Sequence, residues 1–191
     1  MRGKGFLFFE NYNLVYARVP KAANTSIKET LARLLQRENI EDSTGLTPTN
    51  ADKIIANECR SKSFQRLGYT STMSFEQFAM HTTSIDLDKM DVHTQPQTFL
   101  IEDSRGRLPK FVGITEQSEA HWNILHGFLE RLEIPIAKDL IHLHSSANKS
   151  AAISRHLSEE TLGRIRLIYG RDIVLHQKIS QAGKPLVSGY A

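Results

Sequence analysis

Residues 14–35 read LVYARVPKAANTSIKETLARLL, and this stretch decides the fold that we expect. Residues 14–19 are rich in β-branched and aromatic side chains and end at Pro20, which predicts a short buried strand. Beyond the next loop, apolar residues recur with the spacing of a helix that has one buried face: Ile27, Leu31, Leu34 and Leu35. The predicted order is therefore strand, tight loop and helix.

Composition limits the classes of protein that this chain can be. Its 191 residues fit one domain, and 40% hydrophobic with 24% charged residues is typical of a globular protein. The net charge is +3, from 24 basic and 21 acidic side chains. That surplus is too small to indicate a nucleic-acid-binding protein, although it favours an anionic small ligand.

Metal, disulfide and membrane functions find little support in the sequence. Cys59 is the only cysteine, so it has no partner for a disulfide or a zinc site, and it fits a reducing compartment. His142 and His144 alternate as on one face of a strand, but no third ligand accompanies them, so we expect no metal. The apolar run at residues 6–9 is far too short to cross a bilayer, and we expect no membrane anchor.

The rest of the chain alternates between predicted helices and strands. Helices are predicted over residues 74–80, 116–132 and 158–177, the first with Ser74 and Gln77 at capping-box spacing. Strands are predicted over residues 98–102 and 110–114, with a turn between them. The final helix has these candidates for its buried side: Leu162, Ile165, Leu167, Ile168 and Ile173. The alternation favours an α/β fold, which we expect to form a single domain over residues 1–191.

The loop between the first strand and helix has the chemistry of an anion site. A helix N-terminus presents unpaired N–H groups and the positive end of the helix dipole, which suits phosphate or sulfate. Lys21 adds a full charge, and Thr25 and Ser26 add hydroxyl donors. The glycines of the Walker sequence are missing, so an ATP or GTP site, and with it a small kinase, is disfavoured. Alternatively, Lys21 is a solvated loop residue and the two hydroxyls only cap a helix.

Residues 19–27, VPKAANTSI, resemble the 5′-phosphosulfate loop of sulfotransferase family 2, the Golgi-type carbohydrate sulfotransferases and their bacterial relatives. Four later segments agree with that family in the same order: SFEQF at 74–78, DVHTQPQ at 91–97, FVGITE at 111–116 and the closing segment at 157–173. The resemblance implies a three-layer α/β fold like that of P-loop NTPases, with a short, mostly parallel central sheet.

The resemblance also implies an activity and a donor site. The donor is 3′-phosphoadenosine 5′-phosphosulfate (PAPS), the acceptor is a carbohydrate hydroxyl, and the spent nucleotide is adenosine 3′,5′-bisphosphate. The implied donor-binding residues form one loop: Lys21, Ala22, Ala23, Asn24, Thr25 and Ser26. Lys21 is also the candidate that stabilises negative charge in the transition state.

The acceptor hydroxyl must lose a proton, and histidine is suited to take it near neutral pH. His93 lies in a segment similar to the family's DxHxxPQ sequence, so we assign it the role of general base. Asp91 or Gln97 orients it or binds the acceptor. The alternative for this segment is a purely structural turn held by Asp91 and Pro96.

The family's segment for the 3′-phosphate of PAPS, VRxPxxRxxSxY, is not intact in this chain. Its closest counterpart is CRSKSFQRLGY at residues 59–69, where Arg60 and Arg66 are the candidate phosphate ligands. Two hypotheses follow. Either the chain is an active sulfotransferase with altered 3′-phosphate binding, or it is a catalytically impaired relative that binds a carbohydrate or a protein. The short, anchorless sequence suggests a bacterial cytoplasmic protein, or a protein of the Golgi lumen if an N-terminal anchor has been removed.

Overall fold

The computed structural model describes residues 6–17, 27, 30–31, 59–140 and 157–188. Contacts between Cα atoms group the chain into two compact units. Unit 1 comprises Met1–Ser43, Gln97–Leu143 and Val174–Ala191, and unit 2 comprises Thr44–Pro96 and His144–Ile173. The prediction of a single domain stays a prediction.

Unit 1 begins with an antiparallel hairpin. Strand β1 spans Phe6–Phe9 and strand β2 spans Leu14–Ala17, with a 3₁₀ turn over Glu10–Tyr12 between them. Asn13 completes the connection at a φ of 48°. This left-handed conformation is one that asparagine tolerates better than most residues. Residues 14–17 of the predicted strand form β2, but they are not buried as expected: Val15 is 47% exposed and the other three are partly buried.

The remainder of unit 1 contains two short helices and a second small sheet. Helix α3 spans Gln97–Ile101, strand β3 spans Phe111–Val112, and helix α4 spans Ser118–Glu130 after a 3₁₀ turn at Thr115–Gln117. Strand β4, Leu186–Val187, pairs with β3 in antiparallel direction. These elements present the FVGITE segment as a strand followed by the start of a helix.

The core of unit 1 joins its first hairpin to helix α4. Its fully buried members are Phe9, Leu31, Trp122 and Leu140. The Trp122 indole donates a hydrogen bond to the Lys138 carbonyl at 3.0 Å, which satisfies its one buried polar group. Ile27 packs against this core, and residues 27, 30 and 31 are helical, as the apolar spacing predicts.

Unit 2 is built from helices. Helix α1 spans Lys62–Arg66, helix α2 spans Phe75–Ser84, and helix α5 spans Glu159–Ala182, of which the part up to Ile173 belongs to unit 2. The capping box predicted at Ser74 is present, with reciprocal hydrogen bonds to Gln77. The core of this unit consists of Cys59, Phe64 and Tyr69, surrounded by partly buried apolar side chains.

The mixed content of helices and strands is confirmed. The helices predicted over residues 74–80, 116–132 and 158–177 are all present with shifted ends. Both described sheets are two-stranded and antiparallel. The three-layer arrangement with a parallel sheet stays a prediction.

Two sequence predictions are wrong. The sequence predicts a strand over residues 98–102, but residues 98–101 lie in helix α3, because Thr98 and Ile101 are buried with helical spacing directly after Pro96. Leu167 and Ile173 are predicted to lie on the buried side of α5 but are 83% and 37% exposed. The fully buried residues of that helix are instead Thr161 and Ile179.

Candidate active site

The structure describes only some of the residues that the sequence singles out. The proposed donor loop, Lys21 to Ser26, lies outside the described residues, as do His142 and His144. His93 and the two candidate phosphate ligands, Arg60 and Arg66, are described and all belong to unit 2. The described part of the proposed site therefore consists of His93 and its surroundings in unit 2.

His93 lies in a tight turn that begins at Asp91. The Asp91 carbonyl accepts hydrogen bonds from the backbone N–H groups of Thr94 and Gln95, at 2.9 and 3.0 Å, and from the Thr94 hydroxyl at 3.0 Å. The Asp91 carboxylate accepts a further bond from the His93 backbone N–H at 2.9 Å. Aspartate stabilises turns in this way because its short side chain reaches the backbone two residues ahead. The turn held by Asp91, which the alternative interpretation of this segment requires, is thus present.

The same carboxylate also holds the His93 ring. Asp91 Oδ1 lies 2.7 Å from His93 Nδ1, and the Asp91 side chain is 8% exposed while that of His93 is 40% exposed. Burial alone would raise the pKa of the Asp91 carboxyl, but hydrogen bonds from His93 and Ser63, with the nearby His93 charge, lower it. An ionised carboxylate only accepts hydrogen bonds, so Nδ1 must be the protonated nitrogen.

This contact determines what the ring can do. With the proton fixed on Nδ1, the neutral imidazole carries its lone pair on Nε2. Within the described part of the chain, no group hydrogen-bonds to Nε2. A partly exposed nitrogen with a free lone pair, on a ring oriented by a carboxylate, is the arrangement that a general base requires. Of the two residues expected to orient His93 or bind the acceptor, Asp91 contacts the ring, and Gln97 is the first residue of helix α3.

The segment that contains Arg60 and Arg66 contacts the base. The Ser63 hydroxyl donates to the Asp91 carboxylate, and the Phe64 ring lies 6.5 Å from the His93 ring, centroid to centroid. Both residues belong to α1, whose N-cap is Ser61. The structure therefore brings this segment and His93 together.

Arg60 and Arg66 are both exposed, but Arg60 precedes the N-cap Ser61 whereas Arg66 is the last residue of α1. The Arg60 carbonyl accepts a hydrogen bond from the Gln65 side chain, which fixes the backbone at the helix entrance. Both guanidinium groups are accessible to an anion, although the helix does not align them side by side.

A second polar cluster of unit 2 was not expected from the sequence. The Glu76 carboxylate on α2 accepts hydrogen bonds from the Ser158 backbone N–H at 3.1 Å, from the Ser158 hydroxyl at 2.5 Å and from the Thr161 hydroxyl. These bonds, those from the Ser158 and Thr161 side chains foremost, lower the pKa of Glu76. Two of the segments that resemble the sulfotransferase family thus meet at the first turn of α5.

Glu116, the acidic residue of the FVGITE segment, pairs with a histidine in unit 1. Its carboxylate lies 3.3 Å from Nε2 of His176. Burial opposes ionisation, but hydrogen bonds from its own backbone N–H and from His176 lower the pKa of Glu116. Both side chains are exposed, at 50% for His176 and 64% for Glu116, as is typical of a surface ion pair.

Two broader observations concern the described residues as a whole. Among them, no three His, Cys, Asp or Glu side chains lie close enough together to hold a metal ion. None of the helices that the structure describes combines the length and the apolar character needed to cross a bilayer.

Known proteins provide no assignment for this site. Comparisons of the chain with protein-family models, with curated proteins and with solved structures give no match.

Proposed function

We propose that this protein is a sulfotransferase that transfers a sulfuryl group from PAPS to a hydroxyl of a carbohydrate. The observation that carries the proposal is the Asp91–His93 pair, in which a buried carboxylate fixes the Nδ1–H tautomer and leaves Nε2 able to accept a proton. The sequence resemblance supplies the identity of the donor. The proposal includes the three-layer fold of that family. It also includes a cytoplasmic location, because a single buried cysteine, Cys59, that forms no disulfide is typical of proteins in a reducing compartment.

In the proposed reaction, the acceptor hydroxyl gives its proton to His93 Nε2 as its oxygen attacks the sulfur of PAPS. The new bond joins that oxygen to sulfur, and the bond between sulfur and the 5′-phosphate oxygen breaks. The leaving group is adenosine 3′,5′-bisphosphate. Negative charge gathers on the leaving phosphate, where Lys21 and the N–H groups of the donor loop are the proposed partners. The buried Asp91 carboxylate stabilises the imidazolium that forms.

The test of this function separates proton removal from nucleotide binding. We expect His93→Ala to reduce transfer from radiolabelled PAPS to polysaccharide by about 100- to 10,000-fold, the usual contribution of a general base. Calorimetry should show unchanged affinity for adenosine 3′,5′-bisphosphate. The matched control is His176→Ala, which removes an exposed histidine of unit 1. Wild-type turnover in the His93 variant would refute its role as the base.

A second experiment tests whether the proposed donor loop binds the nucleotide. Lys21→Ala should weaken adenosine 3′,5′-bisphosphate in calorimetry and reduce transfer by about 100- to 1000-fold, since it removes one preorganised charge from the transition state. Acceptors for the assay are polysaccharides of neutral hexose, of N-acetylhexosamine and of uronic acid. Transfer to none of them by the wild-type protein would count against the enzyme.

A catalytically impaired protein that binds carbohydrate or protein is the second candidate. Two observations favour it. Ser63, in the segment that should hold the 3′-phosphate, donates its hydroxyl to Asp91, and Arg60 precedes the N-cap of α1 while Arg66 is the last residue of that helix. The calorimetric titration decides between the candidates. No heat on adding adenosine 3′,5′-bisphosphate to folded protein would favour the impaired protein, and weaker binding in Arg66→Ala would favour the enzyme.

A further inference from the structure

The turn that carries His93 is held from outside by a tyrosine of the last long helix. The Tyr169 hydroxyl on α5 donates a hydrogen bond to the Thr94 carbonyl at 2.5 Å. Burial, with smaller effects from Tyr69 and Asp172, raises the pKa of Tyr169 to about 12. The hydroxyl therefore keeps its proton at neutral pH and remains a donor.

Thr94 is coupled directly to the Asp91–His93 pair. It follows His93 in the chain, and both its backbone N–H and its hydroxyl bond to the Asp91 carbonyl. A displacement of Thr94 would therefore move the carbonyl end of Asp91 and the two residues between them, Val92 and His93. The Thr94 carbonyl is the point at which α5 contacts this small ring of hydrogen bonds.

The helix that supplies Tyr169 is itself fixed within unit 2. Glu76 binds Ser158 and Thr161 at the first turn of α5, and Tyr169 follows Thr161 by eight residues, about 12 Å along the axis. The helix is thus anchored by α2 at its first turn, and about two helical turns further on Tyr169 bonds to the turn that carries the proposed base.

We propose that Tyr169 is a positioning residue for His93: through the Thr94 carbonyl it holds the Asp91–Thr94 turn in the geometry that keeps the His93 ring on Asp91. This inference rests on the proposed function, in which His93 is the general base. It adds a residue from the closing helix, 76 positions along the chain from His93, to which no role had been given.

The test removes only the hydroxyl. In Tyr169→Phe, proton–nitrogen correlation spectra of the histidine rings should change from a single Nδ1–H tautomer of His93 to a mixture, because the turn loosens. The kcat for transfer should fall by about tenfold, which corresponds to about 1.4 kcal/mol, with an unchanged KM for PAPS. The control is Tyr12→Phe, a partly buried tyrosine of unit 1.

A second measurement applies should Tyr169→Phe not fold. Replacing Tyr169 by a fluorinated tyrosine keeps the size and the donor but lowers the pKa of the phenol. The ring signals of His93 should then match the wild type at neutral pH and change as the fluorinated phenol ionises at alkaline pH. Signals that stay constant through that ionisation would overturn the positioning role.

The His93 ring signals test the positioning role of Tyr169, and the transfer assay tests the proposed function, so either hypothesis can fail without the other. Unchanged His93 ring signals in Tyr169→Phe overturn the positioning role, whether or not the protein transfers sulfuryl groups. Changed ring signals in a protein whose wild type transfers nothing support the positioning contact and refute the enzyme. Changed signals together with a lower kcat support both.

Discussion

At Gly113 the backbone passes so close to a buried ring that a larger residue has no room. A Cβ atom there would lie 3.1 Å from Nδ1 and 3.3 Å from Cβ of His121. The ring cannot move freely, since the Ile114 backbone N–H donates to its Nδ1 at 3.0 Å and the side chain is 3% exposed. Burial lowers the pKa of His121, which fits a neutral ring that accepts this bond. Close packing against the His121 ring therefore explains why position 113, in the FVGITE segment, is a glycine.

We expect Gly113→Ala to destabilise the protein by about 1–3 kcal/mol, the usual cost of overpacking a rigid site. Urea unfolding measures it. The matched control is Gly127→Ala in the interior of α4, where a new Cβ meets nothing within 4 Å. That variant should gain about 0.5–1 kcal/mol, because alanine loses less backbone entropy in a helix. If both variants changed the free energy of unfolding by the same amount, or if Gly113→Ala were as stable as the wild type, the close packing of Gly113 against His121 would not be what requires a glycine.

The candidate site was predictable only where its contacts are local. The sequence identified His93 and its neighbour Asp91, and the turn that joins them follows from an aspartate two residues before the histidine. Tyr169 and Glu76 carried no such signal, since their partners lie 75 and 82 or more residues away. Contacts of that separation depend on tertiary packing, which no local spacing encodes.

Among the elements, helix α5 shows most clearly how one contact supports a long helix. Ser158 is its N-cap: the Ser158 hydroxyl accepts the Thr161 backbone N–H at 3.2 Å, and its carbonyl accepts the Leu162 N–H at 2.9 Å. Glu76 adds a carboxylate at the positive end of the helix dipole. The cap and the dipole interaction therefore act together at one end.

We expect Ser158→Ala to lower the free energy of unfolding by about 1 kcal/mol, as for other N-cap serines. Glu76→Gln should act in the same direction, and amide hydrogen exchange in the first turn of α5 should accelerate in both variants. The control is Ser180→Ala, an exposed residue near the other end of the same helix. Unchanged exchange in the Ser158 variant would show that the cap is not what holds the helix start.

Sequence patterns predicted elements well where capping and periodicity agreed. The Ser74–Gln77 capping box placed the start of α2 correctly, because both partners are local. Residues 98–101, Thr-Phe-Leu-Ile, have the composition of a strand, yet they form α3. A short apolar run fits either structure, and burial of its i and i+3 positions decided for the helix.

For the whole molecule, the titratable groups of the described residues predict how stability depends on pH. The carboxyls of Glu76, Asp91 and Asp103 have lowered pKa values. The pKa of Asp103 is lowered to about 2, chiefly because its carboxylate accepts a hydrogen bond from the Arg107 backbone N–H. Their stabilisation is present above the unfolded values near 4 and is lost as the pH falls. The lowered pKa of His121 acts in the same direction: its contribution to stability is present above the unfolded value of 6.5 and is lost as the pH falls below it. The raised pKa of Tyr169 acts in the opposite direction, and its contribution is lost as the pH rises from 10 to about 12.

The urea midpoint should therefore be highest between about pH 7 and pH 9 and should fall on both sides. Tyr169→Phe should flatten the alkaline side, because the raised phenol pKa is removed, while the acid side should stay as in the wild type. Asp103→Asn should flatten the acid side between pH 4 and about 2. A midpoint that rises on acidification below pH 5 would contradict the assignment of these carboxyls.

The interleaving of the two units along the chain also bears on how the protein is made. Unit 2 takes residues from both sides of Gln97–Leu143, and unit 1 takes residues from both ends and the middle. A ribosome that has synthesised residues up to 140 has therefore released neither the Ser158 partner of Glu76 nor the strand that pairs with β3. The apolar clusters around Phe64 and Trp122 consist of residues up to 140, so they can form first, and the contacts of Glu76 and of β3 are completed only after residues 158–187 have been synthesised.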